Sequence, residues 1–315
     1  MIVTLQSLRF VFVMLIFLSH FSYQEIEALD AGGDCGVTFF FLLSGFVCSL
    51  GYGTKIESGK FPYFRFLWRR IRKFYPLHLL CLVLFLVVSM SSIDIKVVLN
   101  LLLLQSWVPD SDYYFSCNSV SWFLSSLLCC YLLFPLTYRY LSKRLTIGIM
   151  VIYGIVYWIT PYDHVNSILY VFPLVRFVDF YLGMVLCQLY LRHQNVVIPN
   201  WMEILSIIFL LVSLAIYPFM DEKFRNAPLY WLVLIPLILI FAHQQGIVSR
   251  WLRTRHMALL GSLSLPLFLT HQMLIGFLTR HLPEMPAILM LTVCIFIALI
   301  VSWGIQIIFS RIFRL

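Results

Sequence analysis

Arg9 and His20 are the first residues whose type and spacing suggest chemistry, because each interrupts the apolar run LQSLRFVFVMLIFLSHF. An ionisable group at membrane depth costs several kcal/mol unless it is paired or hydrated, so such residues mark functional positions. Ten residues separate the two. Eleven helical steps of about 100° return to within about 20° of the same face, and a rise of about 1.5 Å per residue sets them roughly 16 Å apart along the axis. A ligand touching both is therefore long. An imidazole exchanges protons near neutrality, and a guanidinium presents a planar fork to phosphate or carboxylate. On the residues alone, a backbone-bonded histidine and an arginine snorkelling to lipid phosphate account for the pair equally well.

Further candidates lie along the chain. Arg69, Arg70, Arg72 and Lys73 crowd the start of the third apolar stretch, a pattern that serves a phosphate grip or a plain positive-inside anchor. Arg176 and Asp179 lie three residues apart on one helical face, close enough to neutralise each other within a membrane. His271 falls in the ninth apolar stretch, where it either shares a cavity with His20 or bonds to a neighbouring helix. Trp107, Tyr113, Tyr114, Trp122 and Tyr162 offer flat faces to sugar rings, as interfacial aromatic belts also do. His78, His164, His193, His243, His256 and His281 read as loop or interface residues. Of eight cysteines, Cys48, Cys81, Cys129, Cys130, Cys187 and Cys294 fall in apolar helices as small hydrophobes. Cys35 and Cys117 fall in the first two outer loops, where a disulfide is open to them if that side is oxidising. No C-x-x-C or C-x-x-H spacing is present, so no metal site is expected.

The elements that must position these residues are membrane helices. Of 315 residues, 62% are hydrophobic and 11% charged, against roughly 25% charged in soluble domains. The apolar residues form blocks of about 17 to 25, the length that carries a helix across roughly 30 Å of hydrocarbon. The expected fold is an all-α polytopic membrane protein with about ten transmembrane helices, at residues 4–21, 36–52, 74–92, 119–138, 145–160, 167–190, 200–219, 227–243, 257–279 and 287–309. Val97 to Trp107 is apolar but too short to span, and reads as an interfacial or re-entrant piece. The first helix lacks a basic n-region and a small-residue cleavage site, so it is expected to stay in the mature protein.

The net charge of +8 is a matter of topology, not of nucleic-acid binding, since its placement is asymmetric. With the N-terminus cytoplasmic, inner connections hold Lys55, Lys60, Arg65, Arg69, Arg70, Arg72, Lys73, Arg139, Lys143, Arg144, Arg192, Arg250, Arg253, Arg255, Arg311 and Arg314, whereas outer ones hold Lys96, Lys223, Arg225 and Arg280. Most acids, including Glu25, Glu27, Asp30, Asp94, Asp112 and Asp221, fall outside. Both termini are therefore expected in the cytoplasm. The longest hydrophilic connection is Gly53 to Lys73, and no repeat, low-complexity tract or linker divides the chain, so 1–315 reads as one membrane domain.

Several segments, in order, resemble the acyltransferase-3 family of membrane acyltransferases. Arg9 and His20 meet its Arg-x10-His motif, followed by GVTFFFLLSGF; FRFLWRRIRKFYPLH is similar to its basic segment, with Arg70 and Lys73, or Arg69 and Arg72, in Arg-x-x-Arg spacing. SWFLSSLLCCYLLFP, RFVDFYLGM and LGSLSLPLFLTHQML are similar to its later patterns. Departures are Thr38 where many members carry Asp, Leu127 where many carry Glu, and Leu265 where Tyr is common; the form expected is the stand-alone one, without the SGNH hydrolase-like domain fused to some members. The resemblance implies O-acyl transfer, with acetyl as the family-level expectation, from cytoplasmic acyl-CoA (acetyl-CoA) to a hydroxyl of an envelope or exported polysaccharide or lipid-linked glycan, in a bacterial inner membrane. On this reading His20 is expected as general base, with an acyl-histidine formed first as the competing route, Arg9 along the donor's path, Arg69, Arg70, Arg72 and Lys73 on the donor phosphates, and Arg176 with Asp179 lining the active cavity. Trp122 and His271 are expected on the acceptor side. Besides membrane lipids, the expected partners are the acyl-CoA and the glycan, with no permanently bound cofactor. The rival reading is a glycan or small-molecule transporter or flippase, since a buried Arg and Asp pair and proline-interrupted helices also mark translocation paths.

Overall fold

A computed structural model describes residues 2–24, 31–89 and 92–313. Glu25, Glu27, Asp30 and Arg314, which entered the charge argument, lie outside the described residues. Helices are the only extended elements among the described residues, ten of them principal: α1 (Val3–Ser19), α2 (Ala31–Glu57), α3 (Tyr63–Ser89), α4 (Trp122–Arg139), α5 (Lys143–Ile159), α6 (Pro173–Arg192), α7 (Asn200–Ile216), α8 (Pro228–Ala242), α9 (Ser264–His281) and α10 (Ala287–Phe313). Seven described helices are long and apolar enough to cross a membrane, or eight if a bent pair ending in α9 counts as one span. Large apolar side chains cover the outside, among them Val87, Ile152, Leu211 and Ile288, as lipid-facing surfaces require. The protein is an integral membrane protein.

Three departures from the sequence-based boundaries have physical causes. α3 begins at Tyr63, not near residue 74, and α2 runs on to Glu57, so the hydrophilic connection shrinks to residues 58–62. The basic stretch continues the helix because Phe66, Phe74, Leu77, His78, Cys81 and Leu82 are buried along one stripe of it. The stretch expected at 167–190 is a π-helical turn, Val165–Val171, followed by α6; Phe172 between them is extended because Pro173 follows. The stretch expected at 257–279 is a short helix, Arg255–Ser262, bent by 55° from α9. Pro266 lacks the N–H that the Ser262 carbonyl would need for the helix to continue straight.

The centre of the molecule is α2 packed between α1 and α6. Gly45 and Gly183 let α2 and α6 touch backbone to backbone: a Cβ on Gly45 would overlap the Phe180 carbonyl, and one on Gly183 the Leu42 carbonyl. Phe12 stacks on Phe39 between α1 and α2, with ring centroids 3.8 Å apart. The segment at 95–107 forms a short helix, Ile95–Leu101, and a 3-10 turn, Gln105–Trp107, neither long enough to span. Its buried Asn100, Gln105 and Ser106 bond to Ser116, Ser121 and the Trp122 carbonyl, tying it to α4. His78, expected at a loop or interface, is instead buried in α3 and bonds to the Asn100 carbonyl at 2.9 Å. Cys35 lies inside α2 and is fully buried, and both it and Cys117 are free thiols. The α2 helix begins earlier than expected, which removes Cys35 from the loop where a bridge was open to it.

Candidate active site

His20 caps the C-terminal end of α1. Its Nδ1 lies 2.8 Å from the Ile16 carbonyl oxygen and 3.2 Å from Nε2 of His271, 251 residues away in the chain. The two rings meet edge-on with centroids 5.0 Å apart. His271 is fully buried in α9, and its Nδ1 lies 2.8 Å from the Phe268 carbonyl and 3.1 Å from that of Leu267. Carbonyl oxygens only accept, so each ring carries a hydrogen on Nδ1. His271 then accepts through Nε2, and Nε2 is the nitrogen on which neutral His20 carries its lone pair. Asn118 donates to the Leu269 carbonyl at 2.9 Å, and Ser119 donates to Gln272, so the loop before α4 grips α9 on both sides of His271.

Arg9 lies about three turns earlier on α1 and lines a cavity of about 230 Å³. Arg70 and Lys73 line it too, with Gln6, Ser44 and Tyr131 as polar neighbours and walls from Leu43, Phe74, Leu127 and Leu265. Among the described residues that line it, none carries a carboxylate. Leu127, at a position where the family resemblance suggests Glu, is one reason. Among the described residues no acid pairs with Arg9, whose guanidinium donates to Gln6 Oε1 at 3.3 Å. Arg70 is held among three rings, its guanidinium carbon 5.4 Å from the Phe66 centroid, 5.6 Å from Tyr131 and 5.7 Å from Tyr52. A cluster of three cations without an acid is a ready site for an anion.

Of the four basic residues expected to act together, the cavity takes Arg70 and Lys73, whereas Arg69 and Arg72 do not line it. Phe40, Phe123 and Phe268 also line it, with Phe123 centred 6.3 Å from Phe40 and 5.2 Å from Phe268. Phe268 in turn packs 6.2 Å from His271. Neither His20 nor His271 lines the cavity, and Phe268 is the lining residue that touches the imidazole pair.

Arg176 and Asp179 are brought together but not to the cavity. Their ion pair is 2.8 Å long and almost wholly buried. Arg176 also donates to the Tyr170 carbonyl at 2.5 Å and to Asn226 at 3.3 Å, and lies 3.5 Å from Thr38 Oγ1. Asp179 accepts from the Trp231 indole at 2.5 Å. The pair is thereby a joint linking α6 to α2, α8 and the π-helical turn. Trp122 and Tyr114 are buried, each 4% exposed, so neither offers the open face expected for sugar contact, while Trp107 and Tyr162 remain exposed. Trp122 packs instead on Tyr170, centroids 4.8 Å apart. His271 likewise has no open atom for an acceptor, since both ring nitrogens are bonded within the protein.

Comparison with known proteins bears on the same segments. A stretch of 159 residues is 32% identical to the acyltransferase MdmB of Streptomyces mycarofaciens, covering 44% of this chain and 40% of that protein. The match thus spans less than half the length of that relative. No solved structure matches the chain. The model of an acyltransferase domain family matches residues 2–307, nearly the whole chain, and the protein belongs to this acyltransferase-3 family.

Proposed function

We propose that this membrane acyltransferase moves an acyl group, acetyl in the first instance, from cytoplasmic acyl-CoA to a hydroxyl of an envelope or exported polysaccharide or its lipid-linked precursor. The observation that carries the reading is one helix, α1, with Arg9 in an acid-free cationic cavity and His20 at its far end against a second imidazole. On this reading ten spans lie in a bacterial inner membrane with both termini cytoplasmic, an orientation that the charge distribution of the connections supports and that turns the mouth beside Arg70 and Lys73 toward the donor. Arg70 and Lys73 then hold the donor phosphates. The pantetheine arm runs past Arg9 and between the phenylalanines, over the roughly 16 Å that an eleven-residue helical step spans. His20 Nε2 takes the proton of the acceptor hydroxyl as its oxygen bonds to the thioester carbonyl carbon. The carbon–sulfur bond breaks as the tetrahedral adduct collapses, and the leaving thiolate of CoA recovers the proton from His20.

The test is acceptor acetylation in membranes holding equal amounts of wild type and His20→Ala, with radiolabelled acetyl-CoA as donor. Loss of label in the variant by at least about a hundredfold, in the range that general bases contribute, is the expected result. Undiminished labelling would sink the mechanism.

A further inference from the structure

We infer that His271 is a positioning residue that holds His20 in the tautomer required for base catalysis, an inference that rests on the acyl-transfer reading above. A general base must present its lone pair to the incoming hydroxyl, and a neutral imidazole has two nitrogens on which that lone pair can reside. The Ile16 carbonyl at 2.8 Å keeps the hydrogen of His20 on Nδ1, a bond made within its own helix. His271 supplies a second anchor to the same hydrogen from another helix, through Nε2 at 3.2 Å. It can do so only as an acceptor, because its own hydrogen is directed at the Phe268 and Leu267 carbonyls.

The arrangement has the logic of a nucleophile–histidine–carboxylate triad, in which the third group orients the base and carries no proton itself. Here the third group is a neutral ring. When His20 Nε2 takes the hydroxyl proton, its Nδ1–H bond to His271 becomes charge-assisted and strengthens. The proton does not pass on to His271, whose Nδ1 already bears a hydrogen, and a second one would create a buried cation between Phe17 and Phe268, whose centroids lie 5.8 and 6.2 Å away. The positive charge thus stays on His20, where the leaving thiolate can claim its proton. Asn118 and Ser119 fix the height of α9 beside this contact, as supporting shells do for ligand histidines.

The experiment compares kcat and KM of His271→Leu, His271→Gln and His271→Asn with wild type, at equal membrane levels and with melting temperatures recorded in detergent. His271→Leu should lower kcat about a hundredfold, within the range of general-base contributions, and leave both KM values within about twofold. His271→Gln, whose side-chain oxygen can accept from His20, should regain at least about tenfold of that loss. His271→Asn, polar but too short to reach, should resemble the leucine variant and replaces it if leucine prevents folding. A wild-type kcat in the leucine or asparagine variant, a loss expressed in acceptor KM alone, or a glutamine variant no better than the asparagine one would each overturn the assignment. The two levels are separable. Acyl transfer that persists in His20→Ala removes the parent reading, whereas a His20-dependent enzyme indifferent to His271→Leu removes only the role of His271.

Discussion

Arg70 and Arg176 are both arginines inside an apolar bundle, and their surroundings give them opposite uses. Arg176 has its donors taken by Asp179, Tyr170 and Asn226, so it holds helices together. Removing its countercharge leaves a buried cation, and Asp179→Ala should destabilise the protein by about 3–5 kcal/mol. Thermal unfolding in detergent would report this as a large fall in Tm, with the double variant Arg176→Met, Asp179→Leu recovering part of it. Arg70 faces three aromatic rings and, among the described residues lining the cavity, no acid, which leaves its charge for a ligand. Lysine keeps the charge but loses the fork and the stacking. Arg70→Lys should therefore raise KM for acyl-CoA about tenfold, equivalent to about 1.4 kcal/mol, with kcat nearly unchanged. The choice of Arg70 and Lys73 over Arg69 and Arg72 was available in the sequence. Phe66, Arg70, Lys73, Phe74 and Leu77 follow helical spacing and share one face, whereas the motif spacing alone fits either register.

At the scale of elements, the crossing of α2 and α6 sets the frame for everything else. It brings Thr38 to Arg176 and seats Ser44 in the cavity wall. Gly45→Ala would drive a methyl group into the Phe180 carbonyl, and a backbone atom in a packed crossing cannot step aside as a flexible side chain can. Overpacking of this kind costs typically about 1–3 kcal/mol or more, so the variant should show lower membrane levels and reduced Tm. Gly148→Ala on α5 is the control: a Cβ there meets nothing within 4 Å, and its behaviour should match wild type. The existence of the long helices was legible in the apolar blocks, and so was their approximate placement. The breaks at Phe172 and Leu263 were signalled by Pro173 and Pro266, but hydropathy averages over them and reads one helix where there are two pieces. Glu203 was not legible as a structural residue. It is fully buried and accepts from the backbone N–H groups of Gly246, Val248 and Ser249, more than forty residues on, capping the short helix Ile247–Leu252. The His20–His271 contact was hidden for the same reason, since no local pattern records which helices become neighbours.

For the whole molecule, the contacts between helix ends fix which ends lie together. Tyr162, after α5, donates to Asp221, after α7, at 2.8 Å; this bond also holds the Asp221 carboxyl below its ordinary range. Tyr23, after α1, donates to the Pro283 carbonyl, after α9, at 2.7 Å. At the opposite ends, Val3 donates to Gln244, after α8, at 2.9 Å, and Tyr138 near the end of α4 donates to Glu57 at the end of α2 at 3.2 Å. Such an alternation is what helices running to and fro produce; seven described helices, or eight with the bent pair, are long and apolar enough to cross a membrane, and α1 and α5, with 17 residues each, are near the lower limit for a span. The lysine and arginine asymmetry of the sequence supports the direction proposed above, with both termini cytoplasmic. In a Cys117→Ser background, where the remaining cysteines are buried, single cysteines at Asp163 and Glu222 should react with a membrane-impermeant maleimide in intact cells. Cysteines at Lys60 and Arg253 should react only after the membrane is opened. The pair at Asp163 and Glu222 is the more demanding half of the test. Labelling of one without the other would contradict the end-to-end bond between Tyr162 and Asp221 whichever way the protein faces, whereas a uniform reversal of all four would leave the helix arrangement intact and move the cationic cavity to the wrong side for a cytoplasmic donor.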